Sequence, residues 1–239
     1  MIIRAGTCVP AFAGQKKVAM KYSPSLACAD QLNLERDVRE LMACRMDMMH
    51  IDIMDGHYVP NLSLNPQVCQ DLKSRIPSLE LDVHLMVTNP MDYIERLAAM
   101  SVDWFTFQMS ATNFLHRTIS MIKKAGMKAG IAVNPGESLT LLEPVIDMVD
   151  MILLMAIEPG FSGQPFIHST IERISQLSNL RKSANLRFVI NVDGGIDAWA
   201  GRGCVSAGAD ILVLGMFACF NQPEGISASF RKFSSQVEG

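Results

Sequence analysis

Downstream of Met20 the chain alternates short runs of apolar, often β-branched residues with longer stretches whose apolar positions recur every three or four residues. The first kind of run predicts strands, the second amphipathic helices, and their alternation predicts βα units wound into a parallel sheet. Eight strands are expected: Lys21 to Leu26, Met48 to Met54, Leu81 to Met86, Trp104 to Gln108, Ala129 to Val133, Met151 to Met155, Phe188 to Val192 and Ile211 to Leu214. Helical spacing is clear at Leu34, Val38, Leu41 and Met42. It recurs at Phe114, Leu115, Thr118, Ile119 and Ile122, with Lys123 and Lys124 on the wet side. Eight alternations in about 220 residues fit a single closed α/β (β/α)8 barrel of the TIM class better than an open sheet, which usually has fewer strands at this length.

Composition agrees with one large core. Of 239 residues 49% are apolar and 19% charged, which argues against disorder, and no composition shift or Pro-rich linker divides the chain. The expected organisation is an N-terminal tail of unassigned role, residues 1–19, followed by a barrel catalytic domain over 20–239. Residues 1–14 only faintly imitate a signal peptide, since Pro10 and the glycines interrupt any apolar stretch. The longest apolar run, Ile211 to Phe220 even with Gly215 counted, falls far short of the roughly 20 residues that span a bilayer as a helix, so no membrane partner is expected. Net charge is −3 and basic residues cluster only in pairs, which disfavours nucleic acid as a partner. Six cysteines without C-x-x-C spacing, in a chain long enough to need no staples, are read as free thiols of a cytoplasmic protein.

In this fold, active sites form where strands end and βα loops begin. On the second strand His50, Asp52 and Met54 share one face, with Ile51 and Ile53 opposite; on the third, Asp82, His84 and Met86 share a parity. The isoleucines suit the helix layer, so the polar set faces the barrel axis. A His and a carboxylate there are costly to bury without a partner, and a metal ion is the obvious one. The seventh strand delivers Asp193 to the same edge. His50, Asp52, His84 and Asp193 would form a mixed nitrogen and oxygen site suited to Zn²⁺, Fe²⁺, Mn²⁺ or Co²⁺ rather than Ca²⁺ or Mg²⁺. Met54, Met86 and Met155, at equivalent strand ends, are gap-filling core residues or an apolar lid over the site. A second constellation lies in the last three βα loops: Glu158 to Gln164 with Gly163, Asp193-Gly194-Gly195-Ile196, and Gly215-Met216. Either these glycines make tight turns, or they let backbone amides approach a phosphate closely. No Lys stands at the C-terminal end of a strand, which argues against Schiff-base chemistry.

Several segments taken together resemble the ribulose-phosphate 3-epimerase family, including its allulose-6-phosphate 3-epimerase branch: Ser23 to Leu26, HIDIMDGHYVPN from His50 to Asn61, DVHLMV from Asp82 to Val87, Asn134-Pro135, EPGFSGQ from Glu158 to Gln164, VDGGI from Val192 to Ile196, and Gly208-Ala209-Asp210. NLSLNP from Asn61 and GQPFI from Gly163 lean towards the allulose-phosphate branch. The resemblance implies metal-dependent epimerisation at C3 of a ketose phosphate, with one divalent ion per subunit and no organic cofactor. It implies His50, Asp52, His84 and Asp193 as ligands and Asp52 and Asp193 as the two acid/base groups. Ser25 is implied as a substrate-site hydroxyl, Met54, Met86 and Met155 as a sulfur-bearing cap, and Gly163, Gly194, Gly195, Gly215 and Met216 as phosphate-loop positions. A homo-oligomer is also implied. The chemistry is coherent, because inversion next to a carbonyl needs one group to remove a proton and another to deliver one. Three departures stand out: Gln108 where the family commonly has His, Ala156 where Thr or Ser is usual, and Met216 where a small hydroxylated residue is usual. They point to altered substrate contacts on strand four and a reshaped phosphate pocket. They also keep open a non-catalytic barrel that binds metal or sugar phosphate.

Overall fold

The computed structural model describes residues 20–220 and 222–239, so the expected tail of residues 1–19 lies outside the described residues. Eight parallel strands form one sheet: β1 (Lys21–Pro24), β2 (Met48–Met54), β3 (Glu80–Met86), β4 (Trp104–Gln108), β5 (Lys128–Val133), β6 (Met151–Met155), β7 (Val189–Asp193) and β8 (Ile211–Leu214). From β2 to β8 each strand pairs with the next in sequence, and β1 pairs with β8. The seam between β1 and β2 is held by a single bridge, Ser25 to His50, so the barrel is nearly closed. The expected first strand ran to Leu26. It stops at Pro24, and Leu26 begins a short 3-10 turn that packs its side chain fully inside.

Seven α-helices wrap the sheet: α1 (Leu34–Ala43), α2 (Gln67–Arg75), α3 (Ile94–Ala99), α4 (Leu115–Lys124), α5 (Thr170–Ser183), α6 (Ala198–Ala207) and α7 (Ile226–Glu238). The eighth helix of the ideal pattern is missing among the described residues. Between β5 and β6 there is only a 3-10 turn, Leu139–Leu142. Pro135, Gly136 and Pro144 crowd that connection, and the residues between them are too few to nucleate a stable helix. Phe114, expected on the buried face of α4, instead sits at its N-cap, 52% exposed, with the Arg117 guanidinium 4.9 Å from its ring centroid. α6 shows clean stops at both ends. Asp197 accepts the Ala200 N–H at 2.8 Å, and Gly208 ends the helix in the left-handed region.

Alternation along each strand splits the apolar residues into separate cores. Outward residues such as Ile51, Ile53, Val83, Leu85, Phe105 and Phe107 join the helices in one large cluster. Inward residues form two small clusters, Met48, Trp104, Met151 and Ile211 at the strand starts, and Ala132, Leu153, Met155, Ile157 and Val213 nearer the strand ends. Most other inward positions of β2, β3, β4 and β7 are polar, with His50, Asp52, Asp82, His84, Thr106, Gln108 and Asn191 all buried, while Met54 and Met86 end the inward rows of β2 and β3. The strand starts are sealed by Glu80, which pairs with Lys21 and accepts the Trp104 indole N–H at 2.6 Å, while the Lys128 ammonium lies 4.2 Å from the Trp104 ring centroid.

One glycine makes room for the polar interior. A Cβ on Gly130 would overlap Thr106 Oγ1 and lie 3.1 Å from Thr106 Cβ, and Thr106 Oγ1 donates to buried Asp82. Gly130→Ala is therefore expected to cost about 1–3 kcal/mol by overpacking, read as a lower urea midpoint. Burial alone would raise the Glu80 carboxyl, but the hydrogen bonds from Lys21 and Trp104 hold it below the usual glutamate value. Its stabilisation is thus fully present above that usual value and lost as pH falls through the lowered one. In denaturant melts Glu80→Gln should be less stable than the parent at neutral pH, with the gap closing as the solution is acidified below pH 4.5.

Candidate metal and active site

The four residues expected to share an ion converge at the strand ends. β2 carries His50 and Asp52, β3 carries His84 in register with Asp52, and Asp193 is the last residue of β7. His84 Nδ1 lies 3.1 Å and His50 Nε2 3.3 Å from Asp52 Oδ1, and each lies 3.9 Å from Asp193 Oδ2. One donor atom from each of the four residues falls within 4.8 Å of the others, which is a cluster able to hold a metal ion. Both imidazoles are fully buried.

Beneath this cluster lies a supporting layer that sequence reasoning did not assign. Asp82 Oδ2 accepts the His50 Nδ1–H at 2.8 Å, and Asp82 also accepts from Thr106 Oγ1 at 3.1 Å and Asn191 Nδ2 at 3.3 Å. Asp82 shares a face with His84, but its role follows from the β2–β3 register that sets it beside His50. With the Nδ1 proton held by Asp82, it is His50 Nε2 that faces the cluster, where a metal ion would take the place of a second ring proton. Asp52 Oδ1 is close but off axis, so Nε2 is buried with no hydrogen-bond partner. A buried imidazole nitrogen oriented by a carboxylate and left unpaired among two carboxylates and a second imidazole fits a divalent transition metal. His50, Asp52, His84 and Asp193 are the residues that would hold it.

The charges in this pocket are strongly interdependent. Burial disfavours a charged His50, yet Asp52 and Asp82 outweigh it and the ring keeps its proton well above the usual histidine range. Burial also works against the Asp52 carboxylate, but the charge of His50 beside it and the hydrogen bond from His84 hold it far below the usual value. Asp193 moves the other way, raised first by burial and then by the charge of Asp52. The two carboxyls thus differ in their hold on a proton.

Above the cluster opens a narrow cleft between the strand ends and the loops that follow them. Its wall brings together Ser25, Asp52, Met54, Met86, Met155, Gly163, Asp193, Gly194, Gly195, Gly215 and Met216, which are all of the expected catalytic and substrate-binding residues. His50 and His84 lie below its floor. Ser25 Oγ donates to Asp52 Oδ2 at 2.5 Å, the oxygen turned away from the histidines. Gly195 has φ +64°, and a Cβ on it would come within 2.6 Å of Phe166 N and 2.8 Å of Gln164 O. Two glycine-rich loops therefore meet backbone to backbone, a packing reason for glycine beyond a tight turn. Ile157, Val213, Phe217 and Cys28, not singled out from the sequence, also line the cleft.

The three departures fall in different places. Ala156 points into the outer core, away from the cleft. Gln108 is fully buried against His84 rather than in the wall, so the expected change in substrate contacts on strand four gives way to a contact beneath the metal cluster. Met216 does line the cleft, its Sδ 3.7 Å from where a Cβ on Gly163 would stand.

Solved structures similar to this chain include 3-hexulose-6-phosphate synthase from Salmonella typhimurium, with a TM-score of 0.67, 16% identity, and coverage of 92% of this chain and 99% of that one. A tryptophan synthase α-subunit mutant from Pyrococcus furiosus matches with a TM-score of 0.66, 9% identity, and coverage of 92% and 97%. At such identities these likenesses concern the barrel fold. Sequence similarity is much higher to ribulose-phosphate 3-epimerases. The enzyme from Serratia marcescens is 39% identical over 203 residues, 84% of this chain and 96% of its own. That from Bacillus subtilis is 36% identical over 197 residues, covering 82% and 90%. The model of the Ribulose-phosphate 3 epimerase family matches residues 21–219, which span all eight strands and every residue of the site just described, and this chain belongs to that family.

Proposed function

We propose that this chain epimerises a ketose phosphate at C3, interconverting D-ribulose 5-phosphate and D-xylulose 5-phosphate, or D-allulose 6-phosphate and D-fructose 6-phosphate. The observation that carries this reading is that Asp52 and Asp193, from two separate strands, each direct an oxygen into the shared ligand cluster while both line the one cleft. A substrate lying between them meets a proton acceptor from one strand and a proton donor from another. One carboxylate removes the C3 proton, leaving an enediolate, and the other carboxyl returns a proton to the opposite face; the reverse reaction exchanges their roles. Ser25 holds Asp52 Oδ2, the oxygen outside the ligand cluster and hence the one free to take a proton. A divalent ion held by His50, Asp52, His84 and Asp193 would supply Lewis-acid stabilisation of charge on the substrate oxygens.

The remaining lining residues divide the rest of the work. Met54, Met86 and Met155 give the reacting carbons an apolar cover, and the glycine loops at Gly163, Gly194, Gly195 and Gly215 offer backbone amides to the phosphate. Met216 contributes bulk where a hydroxyl would otherwise bind. Placement in the cytoplasm is supported by Cys28, Cys44, Cys69, Cys204 and Cys219, all free thiols. Among the described residues no helix is long and apolar enough to cross a membrane. Self-association is supported by apolar side chains left exposed on the outer layer, such as Met121 and Leu180.

Solvent deuterium incorporation at C3, followed on both sugar phosphates, tests the proposal. Exchange should be abolished by a chelator and restored by added divalent ion. Asp52→Asn and Asp193→Asn should each lower turnover by about 10²–10⁴-fold while leaving the thermal melt of the fold in place. Full turnover in either variant would remove the two-carboxylate mechanism, and metal uptake without exchange on either sugar would leave a binding protein in its place.

A further inference from the structure

Gln108 ends β4 with no exposed surface, and its side chain meets His84 nitrogen to nitrogen, Nε2 to Nε2, at 2.9 Å. Its other amide atom, Oε1, is buried with no hydrogen-bond partner. An amide nitrogen can only donate. In this arrangement His84 Nε2 therefore accepts, the single proton of the neutral ring sits on Nδ1, and Nδ1–H is directed to Asp52 Oδ1 at 3.1 Å. Every group in the chain of contacts is paired except Gln108 Oε1.

Ligation requires the other tautomer. The His84 atom facing the cluster is Nδ1, and a neutral imidazole offers a lone pair there only when its proton is on Nε2. Nε2–H would then confront the Gln108 NH₂, donor against donor, in a space sealed from water. A half-turn of the amide about its terminal bond resolves the conflict by exchanging two groups of similar size. It brings the orphaned Oε1 to Nε2–H and needs no movement of the backbone. His50 has no such choice, because the Asp82 carboxylate that backs it can only accept while ionised.

We propose that Gln108 is a positioning residue that sets the tautomer of His84, its amide donating to Nε2 in the cation-free site and reversing to accept from Nε2–H when Nδ1 ligates an ion. This rests on the reading of the cluster as a metal site. Gln108 thereby serves the ligand set from beneath and has no contact with substrate.

Nitrogen-15 NMR of histidine-labelled protein at alkaline pH, with zinc and after chelation, tests this directly, together with zinc affinity from competition with a chromophoric chelator. In the zinc-loaded parent His84 should carry its proton on Nε2; after chelation the proton should be on Nδ1. Gln108→Leu should weaken zinc binding by about 10–100-fold, and Gln108→Glu, which keeps an acceptor at the same reach, should restore most of that loss. A purely structural role would move the melting temperature of Gln108→Leu without this rescue pattern. Zinc affinity of Gln108→Leu equal to the parent's, or a zinc-loaded parent whose His84 Nε2 bears no proton, would overturn the proposal while leaving the metal site intact. A parent that takes up no zinc, or one whose zinc affinity is unchanged by His84→Ala, would overturn the metal reading and this proposal together. Should Gln108→Leu fail to fold, the spectra of the parent alone decide.

Discussion

Two carboxylates and two imidazoles buried within a few ångströms of one another need a compensating arrangement of charge, because leaving any of them unpaired in a poorly hydrated interior costs several kcal/mol. That constraint explains most of what surrounds the cluster. It accounts for the protonated His50 between Asp52 and Asp82, and for the opposite displacements of Asp52 and Asp193. It also accounts for the spread of Asp82's charge over Thr106 and Asn191. Even Gly130 belongs to this account, since its missing Cβ is what lets Thr106 reach Asp82. A divalent ion would satisfy the same requirement from the centre, taking over the neutralising role that a proton on His50 otherwise plays.

How much of this could be read from the sequence depended on whether the information was local. Parity along one strand is local, so HIDIM announced which residues faced the axis, and β2 runs over the residues expected. That His50, Asp52, His84 and Asp193 come together, and which residues line the cleft, was legible for the same reason, each residue standing on a strand near its end or in the loop that follows. Relations between strands are not local. That Asp82 supports His50, and that Gln108 supports His84, depends on register and on which rotamers fit together in the barrel. The connection between β5 and β6 departs from the ideal eightfold pattern, which would place a helix there, because Pro135, Gly136 and Pro144 disfavour one.

The interior of the barrel separates duties by height. At the strand starts Met48, Trp104, Met151 and Ile211 make an apolar plug, closed below by Glu80 and its partners. The groups able to do chemistry are on β2, β3 and β7, where the ladder of the sheet fixes their backbone, as proton transfer and ligation demand. The loops above contribute glycines and apolar side chains, which tolerate variation in shape far better than an acid/base pair tolerates displacement.

This division also sorts the positions at which the chain departs from its family. A missing hydroxyl at Ala156 costs the cleft nothing, since that side chain faces the helices. Gln108 acts below the ligands and would affect reaction through the ion rather than through recognition of a sugar. Met216 alone among the three stands in the wall, opposite Gly163, in the loop that follows β8. A long, unbranched thioether there narrows the loop end of the cleft and offers no hydrogen-bond donor from that position. Of the three departures, therefore, only this one bears on the shape of the cleft itself, and it lies in a loop rather than on the strands that carry the His and Asp cluster.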